Sequence, residues 1–230
     1  MMLQRVEPTR NALIVVAKRP SPGQTKTRLT PPLSPEMAAQ LYECFLLDTL
    51  ALVGRVAGVR PVIAYWPAEA KSYFAGLAPG FDLLLQQGDD LGERLDNALN
   101  YYLEQGYERV VIMNSDGPNL PVACLEEAFH RLNGRADVVL GPCDDGGYYL
   151  IGLKRPAPRL LREVQMSTPR VVAETLALAV AENLRVARLP CWYDVDDLAG
   201  LERLAADLAG APPWVCACTR AFLGNNYQLL

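Results

Sequence analysis

The segment NALIVVAKRPSPGQTKTRLTPPLSP, residues 11–35, joins a strand pattern to a basic loop. The apolar run Ala12–Ala17 predicts a buried strand, and the Pro- and Gly-bearing loop after it carries four cations and no acidic residue. These cations are Lys18, Arg19, Lys26 and Arg28. Positive side chains and loop N–H groups at the end of a strand can hold a phosphate group. The segment therefore predicts a phosphate site at the edge of a β-sheet, and the alternative is a solvated basic loop without a ligand.

Short apolar runs alternate with longer amphipathic stretches along the rest of the chain. The predicted strands are Leu13–Ala17, Pro61–Tyr65, Phe81–Gln86, Arg109–Asn114, Asp137–Leu140, Tyr148–Leu153 and Leu184–Leu189. The predicted helices are one opened by Ser34 and Pro35, followed by Leu91–Gln105, Leu120–Leu132, Pro169–Glu182 and Leu198–Leu208. This alternation favours an α/β fold with a mostly parallel sheet, which becomes mixed if the GPCDDGG turn joins two antiparallel strands. We expect one domain over residues 1–230, with its core at about 11–208 and an irregular tail at 211–230.

Composition excludes several classes of protein. The 230 residues suit a single core, and half of them are hydrophobic, as in globular proteins. The formal charge of −4 does not provide the broad basic surface of a nucleic-acid binder. No apolar run approaches the ~18 residues of a membrane helix, and the first ten residues lack the apolar centre of a signal peptide. With six scattered cysteines, the sequence predicts a cytoplasmic protein that binds neither nucleic acid nor membranes.

Aspartates follow two of the predicted strands directly. Asp116 follows the strand in VVIMNSDGP, and Asp194 and Asp196 follow a later strand in DVDD. Mg²⁺ needs only one or two protein carboxylates when phosphate oxygens complete its shell. These residues therefore predict a metal site beside the phosphate loop. The alternatives are that Asp116 only forms a turn and that the later group only caps a helix, with Asp197 as the natural cap.

Two further segments carry weaker signals. The turn DDGGYY at 144–149 either brings its backbone close to a ligand or forms an ordinary hairpin. The segment QQGDDLGER at 86–94 offers two side-chain amides that could read a nucleobase. His130 is the only histidine and lies in a helical pattern far from these loops. We therefore expect catalysis by charge neutralisation and positioning, without a histidine base.

The motifs occur in a fixed order over about residues 11–205. They are K-x-P-x-P-G-x-x-K-T-R-L, Q-G-x-D-L-G-E-R, S-D-x-P, G-P-x-x-D-G-G-Y-Y-L-I-G-L, S-T-P and D-V-D. The basic loop is neither a Walker A loop nor a G-x-G-x-x-G fingerprint. The ordered set resembles the glycosyltransferase-like family known as selenodomain-associated transferases. That family belongs to the nucleotide-diphospho-sugar transferases and is similar to phospholactate guanylyltransferases.

The resemblance implies the GT-A fold, a three-layer α/β/α sandwich with a mostly parallel, mixed central sheet. It implies Mg²⁺ or Mn²⁺ on Asp116, Asp194 and Asp196, and catalytic roles for Lys26, Arg28 and Asp116. The nucleotide-binding residues that it implies are Lys18, Gly23, Lys26, Arg28, Gln86, Gln87 and Gly92, and the acceptor-binding residues are Gly146, Gly147 and Ser167. Two positions depart from the family pattern, because Asn114 replaces a small residue and Met166 replaces an aromatic one.

The expected activity is nucleotidyl transfer from a nucleoside triphosphate to a phosphate or carboxylate of a small acceptor, with release of pyrophosphate. Four cations within eleven residues suit a triphosphate better than a nucleotide sugar. Two alternatives stay open at this point. One is glycosyl transfer from a nucleotide-diphospho sugar, and the other is nucleotide binding without catalysis. The catalytic hypotheses require the basic loop and the distant aspartates to meet in one cleft.

Overall fold

Strands and helices alternate along the chain, as a computed structural model describes for residues 10–226. The strands are β1 (Asn11–Lys18), β2 (Arg60–Trp66), β3 (Asp82–Leu85), β4 (Arg109–Met113), β5 (Val138–Pro142), β6 (Tyr148–Leu153) and β7 (Val186–Arg188). The helices are α1 (Pro35–Val53), α2 (Lys71–Leu77), α3 (Leu91–Glu104), α4 (Val122–Asn133), α5 (Arg159–Arg162), α6 (Val171–Ala181), α7 (Leu198–Gly210) and α8 (Ala217–Asn226). Two short 3₁₀ turns, Thr27–Leu29 and Ala68–Ala70, lie in the connections.

The strands form one seven-stranded sheet in the order β3–β2–β1–β4–β6–β5–β7. Strand β1 pairs in parallel with β2 and β4, and the pairs β2–β3 and β5–β7 are also parallel. Strand β6 runs antiparallel to both of its neighbours. The sheet is therefore mostly parallel and mixed, which confirms the predicted fold class. The GPCDDGG turn forms the antiparallel hairpin of β5 and β6.

Helices cover both faces of the sheet because successive side chains of a strand point to opposite faces. In β1, Leu13 and Val15 pack into one cluster with α1, α2 and α4. Ala12 and Ile14 pack into a second cluster with α3, α5 and α6. All four side chains are fully buried. A strand that is covered on both faces is apolar along its whole length, which is the pattern that the sequence shows at Ala12–Ala17.

A third hydrophobic cluster joins the basic loop to the C-terminal helices. Leu29 and Leu33 of the loop pack there with α1, α7 and α8. The prediction of an irregular tail is therefore wrong for residues 217–226, which form α8. The two oxygens of the Asp48 carboxylate in α1 accept hydrogen bonds from the N–H groups of Cys218 and Thr219, at 3.0 and 2.9 Å. Because this cap comes from another helix, no local signal in the tail announces it. Residues 227–230 of the predicted tail lie outside the described range.

The boundaries of the predicted elements agree with the structure to within two residues. Helix α1 begins as predicted, since Ser34 Oγ accepts a hydrogen bond from the Met37 N–H at 3.2 Å. Asp197 caps α7 through the Gly200 N–H at 2.9 Å, as predicted. The short helices α2 and α5 were not predicted. Among residues 10–226, no helix has both the length and the apolar surface that a membrane crossing requires.

Candidate active site

A cavity of about 820 Å³ lies where the carboxyl ends of the parallel strands meet. Its wall includes the last residues of β1, β2 and β4, which are Lys18, Trp66 and Met113. Gln86 directly follows β3, and Tyr148 is the first residue of the antiparallel β6, so both lie at the same edge. Ligands of open α/β sheets bind at this edge.

The basic loop and the distant aspartates meet in this cavity. Lys26 Nζ donates a hydrogen bond to Asp196 Oδ1 at 2.8 Å and another to Asp116 Oδ1. Arg28 forms an ion pair with the second oxygen of Asp196. The Lys26 side chain is only 5% exposed, and its backbone adopts a left-handed conformation with φ of +48°. The convergence of loop and aspartates that the sequence predicted is therefore observed.

Burial and paired charges shift the pKa values in this network. Burial opposes the charge of Lys26, but the carboxylates of Asp116 and Asp196 outweigh it and raise the lysine pKa above its ordinary value. Burial likewise opposes ionisation of Asp196, but the cations Lys26 and Arg28 lower the pKa of that carboxyl. At neutral pH, Lys26 is therefore protonated and Asp196 is ionised.

Asp194 lies beside this network in a different electrostatic state. Its two carboxylate oxygens accept hydrogen bonds from Asn114 Nδ2 at 3.0 and 2.9 Å. Burial and then the charge of Asp116 raise the pKa of Asp194 to about 7, although the hydrogen bonds from Asn114 act in the opposite direction. An additional positive charge near a carboxyl that is buried beside another carboxylate strongly favours the ionised form of that carboxyl.

Backbone contacts hold the two aspartate segments together. The Val195 N–H donates to the Asp116 carbonyl at 2.9 Å, and the Asp116 N–H donates to Asn114 Oδ1 at 3.2 Å. Gly117 permits the close approach, since a Cβ there would lie 3.1 Å from the Tyr193 carbonyl oxygen. Asn114, a departure from the family pattern, thus connects the end of β4 to both aspartates.

A chain of buried hydroxyl groups supports the same edge. Tyr42 of α1 lies with its hydroxyl 2.9 Å from Ser115 Oγ, which donates in turn to the Val16 carbonyl at 3.2 Å. The Lys18 N–H donates to the Tyr42 hydroxyl at 3.3 Å. Helix α1 therefore positions the ends of β1 and β4 next to each other.

The donor set fits a divalent cation that is shared with a bound phosphate. Within residues 10–226, no group of three or more His, Cys, Asp or Glu side chains is arranged to hold a metal ion alone. Mg²⁺ needs only one or two carboxylates when ligand oxygens and waters complete its shell. Asp116 and Asp194 carry such oxygens, and Asp116 and Asp196 already pair with one positive group, the ammonium of Lys26.

Gln86, Arg94 and Trp66 line the end of the cavity beside β2 and β3, on the other side of β1 from the strand β4 that leads to Asp116. Gln86 is buried and donates through Nε2 to backbone carbonyls of β1 and β2. The guanidinium carbon of Arg94 lies 4.3 Å from the centre of a Trp66 ring. Sequence reasoning named Gln86 but missed Arg94 and Trp66. Two sequence features could have indicated them: Arg94 is the last residue of the motif Q-G-x-D-L-G-E-R, and Trp66 is an aromatic residue directly after a predicted strand.

The β5–β6 turn and the segment before α6 form another part of the wall. Gly147 and Ser167 line the cavity together with Asp145, whose carboxylate accepts a hydrogen bond from the Gly147 N–H at 2.8 Å. Gly146 does not line the cavity. Its φ is +90°, and a Cβ there would lie 2.0 Å from the Pro169 carbonyl oxygen. The glycine is thus required for packing of the turn against the neighbouring segment.

Three further residues that the sequence analysis assigned to the nucleotide site lie outside the cavity wall: Gly23, Gln87 and Gly92. Gly23 forms an exposed turn with φ of +70°. Gly92 packs against Leu161, where a Cβ would lie 2.2 Å from the carbonyl oxygen. The loop cation Arg19 also lies outside this wall and stacks on an aromatic ring of α2. The carbonyl of Gln87 accepts a hydrogen bond from a side chain of α3.

Comparison with protein families and solved structures identifies close similarity over most of the chain. The model of the family described as "Uncharacterized protein conserved in bacteria (DUF2064)" matches residues 49–168. A candidate nucleotide-diphospho-sugar transferase from Desulfovibrio desulfuricans G20 has a crystal structure with a TM-score of 0.90 to this chain. The two sequences are 32% identical, and the alignment covers 96% of each chain.

Two other relatives are more distant. The 2-phospho-L-lactate guanylyltransferase of Methanothermobacter thermautotrophicus is 30% identical over 138 residues, which are 60% of this chain and 59% of that protein. The match thus spans less than two thirds of that relative. Rv0371c from Mycobacterium tuberculosis H37Rv, solved in complex with manganese, has a TM-score of 0.53 and 15% identity over 86% of this chain and 98% of its own. At that identity the likeness concerns the fold alone.

Proposed function

Because this chain belongs to the DUF2064 family and is a transferase of the nucleotidyl- or sugar-nucleotide-transferring class, we propose that it transfers a nucleotidyl group. The donor is a nucleoside triphosphate, and the acceptor is a phosphate or carboxylate of a small molecule. Pyrophosphate is the second product. Catalysis depends on a divalent metal ion.

One observation carries the proposal: Lys26 is buried between Asp116 and Asp196 at the end of a basic loop. A metal-bound polyphosphate needs carboxylates for its metal and cations for its phosphates, and this network places both side by side at the sheet edge where α/β proteins bind ligands. When a triphosphate enters with its metal, the ammonium of Lys26 can turn from the carboxylates to the phosphate oxygens. Lys18 and Arg28 line the same cavity and add positive charge around the phosphates.

The reaction would be an in-line displacement at the α-phosphorus. The acceptor oxygen forms the new P–O bond while the bond from the α-phosphorus to the bridging oxygen breaks, and pyrophosphate leaves with that oxygen. Lys26 and Arg28 would stabilise the negative charge that develops on the leaving group. Mg²⁺ or Mn²⁺, held by Asp116 with Asp194 or Asp196, would neutralise phosphate charge when bound. Gly147 and Ser167 lie on the wall where the acceptor would be oriented.

The relatives support this assignment without identifying the substrates. One is named as a 2-phospho-L-lactate guanylyltransferase. A protein with the same fold was solved with manganese. The six cysteines are scattered along the sequence, which fits a reaction in a reducing compartment such as the cytoplasm.

A product assay tests the proposal. The purified chain is incubated with Mg²⁺, each of the four nucleoside triphosphates and a panel of small phosphates and carboxylates that includes 2-phospholactate. We expect release of pyrophosphate that depends on one acceptor, together with a product whose mass equals acceptor plus nucleotidyl group. The Asp116→Asn variant should release pyrophosphate about a thousandfold more slowly.

Glycosyl transfer is the alternative outcome of the same experiment. Release of a nucleoside diphosphate from a nucleotide sugar, with no pyrophosphate from any triphosphate, would replace the proposal by that activity. Binding of nucleotides without either product, across the whole panel, would indicate a nucleotide-binding protein without catalysis.

A further inference from the structure

The amide of Gln86 is fixed in one orientation by its partners. Nε2 donates to the carbonyl oxygens of Ala64 at 2.7 Å and Ala17 at 3.3 Å. Carbonyl oxygens only accept hydrogen bonds, so the amide cannot be turned round without losing both. Within residues 10–226, Oε1 of Gln86 has no hydrogen-bond partner, and the residue lines the cavity. Gln86 therefore offers a ligand an acceptor and no donor.

Arg94 presents the opposite chemistry at the same end of the cavity. Its Nε donates to the Gly88 carbonyl at 3.0 Å, and its guanidinium stacks on Trp66. Gly88 has φ of +133°, and a Cβ there would lie 2.7 Å from Glu93 Cβ, so only glycine places this carbonyl correctly. The two terminal nitrogens of Arg94 donate to no group among the described residues. Arg94 therefore offers fixed donors and no acceptor.

We propose that Gln86 and Arg94 read the nucleobase of the donor nucleotide and select guanine. This assignment rests on the proposed function, since it assumes that a nucleotide occupies the cavity. Guanine carries two adjacent donors, N1–H and the 2-amino group, that match the acceptor Gln86 Oε1. It also carries two adjacent acceptors, O6 and N7, that match the paired donors of an arginine.

The other bases match this pair of side chains less well. Adenine places its 6-amino donor beside N7, so an arginine that approaches that edge meets a donor. Uracil has no exocyclic amino group, and its single N–H lies between two carbonyl oxygens. Cytosine has a single donor group, its 4-amino group, whereas guanine offers N1–H and the 2-amino group side by side. Each good bidentate contact discriminates by about tenfold or more.

The test measures dissociation constants by calorimetry with Mg²⁺ present, and it begins with base analogues that leave the protein unchanged. We expect GTP to bind at least about tenfold more tightly than ATP, UTP or CTP. ITP, which lacks the 2-amino group facing Gln86, should bind several-fold more weakly than GTP. The analogue 7-deaza-GTP, which lacks the N7 acceptor, should also lose several-fold.

Variants then test whether the Arg94 side chain causes the preference for GTP. Arg94→Met should bind GTP about tenfold more weakly and should no longer distinguish GTP from 7-deaza-GTP. Inorganic tripolyphosphate, which has no base, should bind this variant as it binds the wild type. Arg131→Met removes an exposed arginine that pairs with Glu127 in α4, and it should leave every affinity unchanged.

Three outcomes would overturn the assignment. Equal affinities for the four triphosphates, tighter binding of another base, or an unchanged preference in Arg94→Met would each exclude it while leaving nucleotidyl transfer intact. If neither tripolyphosphate nor any triphosphate bound in the presence of Mg²⁺, the proposed function would fail as well. The two failures are thus distinguishable.

Discussion

The two ends of the cavity hold their polar side chains in opposite ways. At the charged end, which comprises Lys26, Asp116, Asp194 and Asp196, Lys26 pairs with two of the carboxylates. At the base end, which comprises Gln86, Arg94 and Trp66, each polar side chain is held through one nitrogen and keeps other atoms free for a ligand. The base end is therefore preorganised, whereas the charged end must exchange its internal ion pairs for contacts with the ligand.

The largest effect should come from the charged end. Asp116→Asn removes a carboxylate that both Lys26 and the proposed metal require, so kcat/KM should fall by about a thousandfold, as when a main electrostatic stabiliser is lost. The measurement is pyrophosphate release, with the melting temperature recorded to show that the fold persists. Asp82→Asn is the matched control, because among residues 10–226 Asp82 of β3 pairs only with Arg60 of β2, and it lies outside the cavity wall. Equal activity of both variants would contradict the role of Asp116.

The raised pKa of Asp194 predicts a dependence of stability on pH. Folded Asp194 has a pKa of about 7, whereas the ordinary value is 3.8, so between these values the folded state binds the extra proton. Its contribution to stability is present below pH 4 and is lost as pH rises to about 7. The full shift corresponds to roughly 4 kcal/mol, and we expect about half of it after relaxation and solvent screening.

Urea unfolding of metal-free protein at pH 5 and pH 8 measures this contribution of Asp194 to the free energy of unfolding. Asp194→Asn does not titrate, so the free energy of unfolding of the wild type relative to this variant should decrease as the pH rises. A difference between the two proteins that stayed constant with pH would show that Asp194 is ionised throughout. Asp82→Asn serves again as the control, since Asp82 lies outside the cavity wall.

Lys26→Met separates the two roles of the lysine. Without the ammonium, Asp116 and Asp196 lose their internal cation, so free Mn²⁺ should bind about tenfold more tightly than it binds the wild type. The triphosphate should bind more weakly, because its phosphates lose the same charge. Calorimetry with MnCl₂ alone and then with nucleotide measures both. Weaker binding of Mn²⁺ to the variant would show that the lysine does not compete with the metal.

The smallest effect should come from Arg28, and its dependence on salt concentration should distinguish the charged end from the base end. Arg28 is 67% exposed, so Arg28→Ala should weaken triphosphate binding only several-fold at low ionic strength and less at high ionic strength. The ratio of affinities for GTP and UTP should not change with salt, because both ligands carry the same phosphates. A salt-independent loss in Arg28→Ala would mean that this arginine makes a desolvated contact.

Much of the fold and the charged end could be predicted from local patterns. The apolar run at Ala12–Ala17 is a strand, and the loop after it does bring Lys26 and Arg28 to the aspartates. These predictions depend on strand periodicity and on the rule that ligands meet the carboxyl ends of parallel strands. The cap signals at Ser34 and Asp197 are equally local, since each donor lies within three residues.

The base end and α8 could not be predicted in this way. Arg94 becomes a fixed donor only because Gly88 and Trp66, from different segments, hold its guanidinium. Gly146 and Gly92 were read as ligand contacts, but the structure shows that both glycines are needed where another chain segment packs closely. The cap of α8 comes from Asp48, 170 residues away. The local sequence of a helix does not reveal a capping residue that lies far away in the chain.

The order of residues alone established an α/β sheet, a basic loop at its edge and the carboxylates that face it, because periodicity and charge are properties of short segments. Folding established which atoms of those residues remain available to a ligand. The charge of Lys26 is paired with two carboxylates of the protein, whereas Gln86 and Arg94 each keep hydrogen-bonding atoms free for a ligand. That distinction depends on contacts between segments that are far apart in the chain, and such contacts exist only once the sheet has formed.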